Sequence, residues 1–227
     1  MTIRAVLFDF SGTLFRLEAD ESWASDLVTA DGRPFDEAES AEILDRMTTP
    51  VHQAVRFDAH HQQAWEQRDL DPARHREVYR EVLRQTGVVG EPAQRLYSRM
   101  VDPLLWTPYP DTGKVLEALS GNGIQVAVVS NIPFDIRPAF RAHEWDRYID
   151  LYALSFELGA IKPDRPIFEW TLERLGVAAQ DALMVGDSRE NDGAATEVGC
   201  AYEWVDPAPT VDRRTGLLDA LARHNLL

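Results

Sequence analysis

The sequence predicts an α/β fold in which a doubly wound parallel sheet forms the core and an all-helical segment is inserted after the first strand. Two observations support this prediction. In residues 1–14 and 109–227, short apolar stretches alternate with amphipathic helical patterns, which is typical of successive βαβ units. In residues 15–108, apolar residues recur at three-to-four spacing, and residues 34–86 contain no glycine. Ligands bind beyond the carboxyl ends of the strands in such sheets, so functional residues are expected there.

Five short apolar stretches are predicted to be buried strands: residues 3–8, 124–130, about 151–155, 182–185 and about 201–205. The first ends at Asp9, and Gly12 then interrupts its pattern. The second ends at Asn131, and the fourth is followed by Gly186 and Asp187. Polar residues therefore stand where three of the five strands end.

Four helical patterns separate or follow these strands: residues 111–120, 164–175, 191–198 and 215–223. The first three stop at glycines, which favour the left-handed conformation that often ends a helix. These are Gly121, Gly176 and Gly199. Asp164 and Pro166 form a start signal for the second helix, since proline is well tolerated in a first helical turn.

Residues 15–108 are predicted to form a helical cap domain, and residues 1–14 with 109–227 the core. The apolar spacing indicates four or five helices. Turn-forming residues predict breaks near residues 32–34, 49–50, 71–72 and 87–92. Pro108 and Pro110 suit the return of the chain to the core.

The net charge of −15 argues against nucleic acid and anionic membranes as partners, because the surface would repel both. The N-terminal apolar stretch is too short for a signal peptide, and no segment is long enough to span a bilayer. We therefore expect a cytoplasmic protein with a small-molecule substrate. Cys200 is the only cysteine, so no intramolecular disulfide can form. The sequence does not indicate the oligomeric state.

Four polar groups carry the prediction of function. Asp9–Thr13 combines a carboxylate at a strand end with a glycine turn whose backbone N–H groups can point at an anion. Ser130–Asn131 could bind phosphate oxygens, and Lys162 could supply positive charge. Asp187 and Asp192 suit a hard cation such as Mg²⁺. Singly, each group is explained as well by a turn, a helix cap or a solvated lysine.

Together, the order and strand-end positions of these groups resemble the four motifs of the haloacid dehalogenase-like superfamily, and the resemblance covers the whole chain. It implies a Rossmann-like core with a helical cap. It also implies that Asp9 is the covalent nucleophile, that Lys162 is the catalytic cation, and that substrate is bound by Thr13, Ser130 and Asn131. The implied Mg²⁺ ligands are Asp187, Asp9 and the backbone carbonyl of Ser11. Asp192 would hold a metal-bound water or bind the metal directly.

Ser11 departs from the resemblance. Phosphatases of the family usually have an aspartate there, which protonates the leaving oxygen and later activates water. A serine hydroxyl is a poor proton carrier near neutral pH, although its backbone carbonyl can still bind metal. We therefore expect a preference for activated leaving groups and a long-lived phosphoenzyme, unless another residue, for instance one from the cap, supplies the proton.

The sequence thus predicts a Mg²⁺-dependent hydrolase that acts on a small phosphorylated metabolite through an aspartyl-phosphate intermediate. Three alternatives remain. A haloacid dehalogenase would attack carbon, but such enzymes usually have an aromatic residue at the position of Ser11 and need no metal. A phosphotransferase or mutase would pass the phosphoryl group to a second hydroxyl, although mutases of this family normally need the missing acid. A catalytically silent binding protein would have no need of the nucleophile Asp9.

Overall fold

A computed structural model describes residues 2–25, 27–29, 32–48 and 55–227. Along the chain its strands are β1 (Ala5–Phe8), β2 (Phe15–Leu17), β3 (Trp106–Pro108), β4 (Gln125–Ser130), β5 (Leu151–Leu154), β6 (Ala182–Gly186) and β7 (Ala201–Trp204). Its α-helices are α1 (Glu37–Thr48), α2 (Ala59–Glu66), α3 (Pro72–Gln85), α4 (Gly90–Met100), α5 (Thr112–Gly121), α6 (Arg137–Ala142), α7 (Ser155–Leu158), α8 (Arg165–Leu175) and α9 (Gly216–Arg223).

The predicted parallel sheet is confirmed, with five strands in the order β5-β4-β1-β6-β7. Every pairing in it is parallel. In the register of the sheet, Phe8 at the end of β1 lies beside Val128 in β4 and Val185 in β6. The loops that follow these three central strands therefore leave the same edge of the sheet, which is the edge where a doubly wound fold binds its ligand.

Each face of the sheet is buried by helices, which explains why its strands are apolar without interruption. On one face, Val6 and Phe8 pack with Val115 and Leu116 of α5. On the other face, Ala5 and Leu7 pack in a cluster that includes Ile167 and Phe168 of α8. The four residues of β1 are all fully buried.

The helices of the core agree with the sequence prediction for α5, α8 and α9, within one residue at each end. The predicted helix at residues 191–198 is a 3₁₀ helix over Gly193–Val198. The sequence analysis missed α6 and α7, which are six and four residues long. Helices this short show too few turns for an apolar period to be visible.

Residues 15–108 contain four α-helices within the described part of the chain, in line with the predicted four or five. They share an apolar cluster of their own, with Ile43, Val78, Leu83 and Leu96 at its centre. The predicted break near residues 49–50 lies outside the described residues. That residues 15–108 behave as a separate cap domain stays a prediction, and we refer to them below as the helical insert.

A short ribbon at the base of the helical insert was not predicted. Strands β2 and β3 pair antiparallel, with Phe15 opposite Pro108 and Leu17 opposite Trp106. Each strand has only three residues, which is too short for a two-residue alternation to be recognised in the sequence. The ribbon brings the two ends of the helical insert side by side. None of the helices in the described parts of the chain combines the length and apolarity needed to cross a bilayer.

An aromatic cluster lies beneath the loop that follows β1. The ring of Phe10 stacks on Phe15 at 5.0 Å between centroids and lies 5.1 Å from Trp106 of β3. Phe140 of α6 meets the edge of Phe15 at 5.1 Å and contacts Tyr152 at 5.5 Å. Phe10 and Phe140 are fully buried, so the backbone between Asp9 and Ser11 is fixed from below by packing.

Replacing Phe140 with alanine should lower the free energy of unfolding by about 3–5 kcal/mol, because it opens a large cavity in a fully buried cluster. Leu104→Ala is the matched control, since Leu104 is 61 % exposed and its loss should cost less than about 0.5 kcal/mol. Urea unfolding followed by circular dichroism measures both. Equal stability of the two variants would mean that the aromatic cluster does not stabilise the core.

Candidate active site

Seven of the eight predicted site residues lie where strands β1, β4 and β6 end, or in the loops that follow. Lys162, the eighth, reaches this edge from the loop between α7 and α8. Ser11 is exposed, whereas Asp9, Thr13, Ser130, Lys162 and Asp192 are buried.

Lys162 is a buried ion-pair partner and not a solvated surface lysine. Its Nζ donates to Oδ1 of Asp9 at 2.7 Å and to Oδ1 of Asp192 at 2.6 Å. Its side chain is 3 % exposed, and those of Asp9 and Asp192 are 9 % and 1 % exposed. One ammonium group therefore bridges two carboxylates that lie 183 positions apart in the sequence (192 − 9).

The charge balance of this cluster shows in the pKa values. Burial alone lowers the pKa of Lys162, but the carboxylates of Asp192 and Asp9 outweigh it, so the pKa lies above its ordinary value. Burial raises the pKa of Asp9 to about 6, although Lys162 opposes this. Burial, aided by the Asp9 and Asp192 carboxylates, raises the pKa of Asp187 to about 8. The cluster thus has one positive charge for three carboxylates.

Asn131 fixes the backbone that carries Lys162. Its Oδ1 accepts from the backbone N–H of Lys162 at 2.7 Å, and its Nδ2 donates to the carbonyl of Lys162 at 2.7 Å. Both polar atoms of the amide are therefore engaged in positioning the lysine. Contact of Asn131 with a substrate stays a prediction, as does that of Ser130, which is buried at the end of β4.

Asp9, Asp187 and Asp192 offer donor atoms that lie within 4.8 Å of one another, which suits a divalent cation. Asp192 already uses both oxygens, because its Oδ2 accepts from the backbone N–H of Ser188 at 2.9 Å. By contrast, no other described residue donates a hydrogen bond to the carboxylate of Asp187. The chemistry of the donor set therefore fits Mg²⁺, with Asp9 and Asp187 better suited to direct binding than Asp192.

Two glycines leave the space in which these carboxylates sit. A Cβ at Gly186 would lie 2.2 Å from Oδ2 of Asp192. A Cβ at Gly12 would lie 2.5 Å from Oδ2 of Asp187, and Gly12 has a φ of +73°, which disfavours other residues. A side chain at either position would displace a member of the acidic cluster.

Thr13 carries a buried hydroxyl whose Oγ1 has no hydrogen-bond partner. Buried polar groups in proteins are nearly always paired, so this hydroxyl, four residues after Asp9 in the same loop, is available to donate a hydrogen bond. A phosphoryl oxygen would be a suitable acceptor for this hydroxyl.

Arg213 is a site residue that the sequence analysis missed. Its guanidinium donates to the carbonyls of Gly12 and Thr13, at 2.7 Å for Gly12, and lies over the ring of Tyr109 at 3.1 Å from the centroid. It also donates to the carbonyl of Asp206 at 2.9 Å. Arg213 therefore holds the loop after β1 from a distant part of the chain. No local pattern distinguishes this arginine from a surface one.

A cavity of 590 Å³ lies between this edge of the sheet and the helical insert. From the core, Ser11, Asn131 and Asp187 line it. From the insert and the ribbon, it is lined by polar residues such as Arg16, Arg68, Asp69 and His75 and by apolar ones such as Leu17, Met47, Tyr79, Met100 and Trp106. The volume is in the range of small-molecule sites.

Comparison with known proteins identifies the family of the chain. A family model described as haloacid dehalogenase-like hydrolase matches residues 3–199. The ribulose-1,5-bisphosphate 5-phosphatase of Halopiger xanaduensis is 35 % identical over 105 residues, which are 45 % of this chain and 44 % of that protein. The (S)-2-haloacid dehalogenase 4A of Burkholderia cepacia is 32 % identical over 92 residues, which are 40 % of each. These matches span less than half the length of either relative.

The fold is also similar to a solved structure. The magnesium-bound haloacid dehalogenase-type hydrolase YfnB of Bacillus subtilis matches with a TM-score of 0.67 over 92 % of this chain and 91 % of that one. The two sequences are 17 % identical, so the likeness concerns the fold alone.

Replacing Lys162 with methionine should destabilise the metal-free protein by about 3–5 kcal/mol at about pH 8, because it leaves buried carboxylates without their cation. Loss of the ammonium raises the pKa of Asp9 further above its unfolded value. The destabilisation should therefore be largest above that pKa and shrink as the pH falls to about 5 and the carboxyl is protonated.

Urea unfolding at the two pH values measures this difference, with the exposed Lys114→Met as the control. A Lys162→Met protein as stable as the control at both pH values would contradict the role of Lys162 as the counter-charge.

Proposed function

The chain belongs to the haloacid dehalogenase-like hydrolases, and on that premise we propose that it is a Mg²⁺-dependent phosphatase of small phosphorylated metabolites. The observation that supports this most is the juxtaposition of Asp9, Lys162 and the acidic cluster at one edge of the sheet, where Asp187 of that cluster lines a 590 Å³ cavity. A nucleophile, a cation beside it and room for a small ester are the elements that phosphoryl transfer to a carboxylate needs.

The proposed reaction begins with attack on phosphorus by an oxygen of Asp9. The aromatic cluster and Arg213 hold the loop that carries Asp9, so the nucleophile is positioned before substrate binds. The Asp9–phosphorus bond forms as the bond from phosphorus to the leaving oxygen breaks. Water then attacks the aspartyl phosphate, which releases phosphate and restores the Asp9 carboxylate.

Charge is the main obstacle to this reaction, because an anionic nucleophile approaches an anionic ester. Lys162, which already contacts Asp9, neutralises part of the charge on both. The hydroxyls of Thr13 and Ser130 are proposed to bind the equatorial phosphoryl oxygens. Bound to Asp9, Asp187 and the Ser11 carbonyl, Mg²⁺ would supply the remaining charge stabilisation.

Attack on carbon, as in a haloacid dehalogenase, is less well supported by the site. A single halide leaving group carries one negative charge, and Lys162 alone would suffice to balance the nucleophile. Asp187 adds a third carboxyl group to those of Asp9 and Asp192, and burial together with these two carboxylates raises its pKa to about 8. A carboxyl held in this way ionises readily only when a further cation binds beside it, which favours the metal-dependent reaction. Because the Burkholderia relative is named a haloacid dehalogenase, haloacids should be included in any substrate screen.

Activity should require Mg²⁺. We expect hydrolysis of 4-nitrophenyl phosphate to be abolished by excess chelator and restored by added Mg²⁺, because the acidic cluster otherwise repels the ester. A continuous assay of nitrophenol release measures this, with 2-chloropropionate as the parallel substrate. Metal-independent release of chloride in the absence of phosphatase activity would show that the dehalogenase alternative is right.

Asp9→Asn should reduce phosphatase turnover to background while the fold persists, since the amide keeps the shape but has no nucleophilic charge. Rapid acid quench followed by mass measurement should detect a phosphoryl adduct on Asp9 in the wild type and none in the variant. Asp181→Asn is a suitable control, because Asp181 lies at the opposite end of β6. Normal turnover by Asp9→Asn would refute the proposed covalent mechanism.

A further inference from the structure

The loop after β1 lacks a second acid besides Asp9, because Ser11 occupies the position where the proton donor is expected. The leaving oxygen of an ester still needs a proton, and the water of the second step still needs a base. The helical insert brings a carboxyl group to the same cavity. This is Asp69, in the 3₁₀ turn Arg68–Leu70 between α2 and α3.

Asp69 is tied to the functional edge of the sheet by its backbone. The hydroxyl of Ser155, directly after β5, donates to the carbonyl of Asp69 at 2.5 Å. The same hydroxyl accepts from the N–H of Ile132 at 2.9 Å, and Ile132 follows Asn131, which holds Lys162. The turn that carries Asp69 therefore rests on the loops that build the site.

The side chain of Asp69 is sheltered and faces charged groups on several elements. It is 19 % exposed and lies 3.4 Å from the guanidinium of Arg68. Burial raises the pKa of the Asp69 carboxyl, while Arg68 and Lys162 offset this only in part. Tyr79 of α3 lines the same cavity, and because its pKa is raised it is a neutral phenol. Asp69 lines the same cavity as Ser11 and Asp187, so its carboxyl opens on the space above the edge of the sheet where the nucleophile lies.

The other titratable groups that line the cavity are less suitable donors. His75 is buried against the hydroxyl of Tyr97, and burial lowers its pKa to about 3, so it carries no proton to give at neutral pH. Burial moves the pKa of Tyr79 far above neutrality. Asp187 belongs to the acidic cluster, and Glu190 is exposed to solvent.

We propose that Asp69 is the catalytic acid and base of this enzyme, supplied by the helical insert in place of the missing aspartate at Ser11. The inference rests on the proposed phosphatase function.

The steps balance with Asp69 in this role. As Asp9 attacks phosphorus and the ester bond breaks, the Asp69 carboxylic acid gives its proton to the leaving oxygen, and an alcohol departs. The Asp69 carboxylate then takes a proton from water as the water oxygen attacks the aspartyl phosphate. The bond between phosphorus and Asp9 breaks, phosphate leaves, and Asp69 is again protonated.

The test compares an alkyl and an aryl ester, because only the alkyl leaving group needs protonation. For Asp69→Asn, kcat/KM for glycerol phosphate should fall by about 10²–10⁴-fold, and for 4-nitrophenyl phosphate by less than about tenfold. Because dephosphorylation also loses its base, the aspartyl phosphate should accumulate with 4-nitrophenyl phosphate, whose first step is little affected, as seen by acid quench. Glu66→Gln, an exposed change on α2, is the control and should leave both rates unchanged.

A second pair of variants separates chemistry from structure. Asp69→Glu should recover part of the activity towards glycerol phosphate. Ser11→Asp introduced into Asp69→Asn should restore it, since the acid then comes from the core. If the role of Asp69 were purely structural, Asp69→Asn would lower kcat/KM equally for both esters, and Ser11→Asp would not restore it.

Three results would overturn the inference. In Asp69→Asn, kcat/KM could fall equally for both esters or could stay unchanged for both. Alternatively, Glu190→Gln could be the variant that loses activity selectively towards the alkyl ester. If the wild type hydrolyses neither ester with Mg²⁺ present, the proposed function itself fails. That outcome is distinguishable, because it appears before any variant is compared.

Discussion

The contact of one buried ammonium with two carboxylates is the constraint on which the rest of the site depends. Charges this deeply buried are tolerated only when they are paired. The pairing of Lys162 with Asp9 and Asp192 requires that three distant segments meet at one edge of the sheet, within hydrogen-bonding distance. Three features bring these segments together. The parallel register aligns the ends of the central strands, the amide of Asn131 binds the backbone of Lys162, and Gly186 leaves room for Asp192.

The same cluster explains why the site needs its surroundings. Three carboxylates share a single ammonium group, so without a further cation the cluster holds excess negative charge close to the place where the proposed anionic ester would bind. In the proposed mechanism Mg²⁺ would offset this charge. Residues of the helical insert line the opposite side of the cavity. The insert also contacts the core directly, because the backbone carbonyl of Asp69 accepts a hydrogen bond from Ser155 of the core. The proposed catalysis would thus depend on a contact between the insert and the core.

Much of the fold and part of the site could be predicted from the sequence. Strand ends were recognisable because buried parallel strands are apolar throughout and stop at polar residues, as at Asp9 and Asp187. The burial of Lys162 could not be read from its neighbours, since it depends on partners 153 and 30 positions away. Asp69 and Arg213 escaped notice for the same reason. Their surroundings are made by tertiary contacts, and the β2–β3 ribbon is too short to leave a periodic signal.

The hold of Arg213 on the loop after β1 has a consequence for the order in which the protein matures. The loop is synthesised before the guanidinium that fixes its carbonyls, because Arg213 follows 201 positions after Gly12. Asp187 and Asp192 also arrive late. Chains fold progressively from the N-terminus as they are made. A nascent chain of this protein therefore carries Asp9, the proposed nucleophile, before the residues that fix its loop have been made. The proposed reactivity would begin only after the segment that carries Arg213 has been synthesised and has folded onto the core.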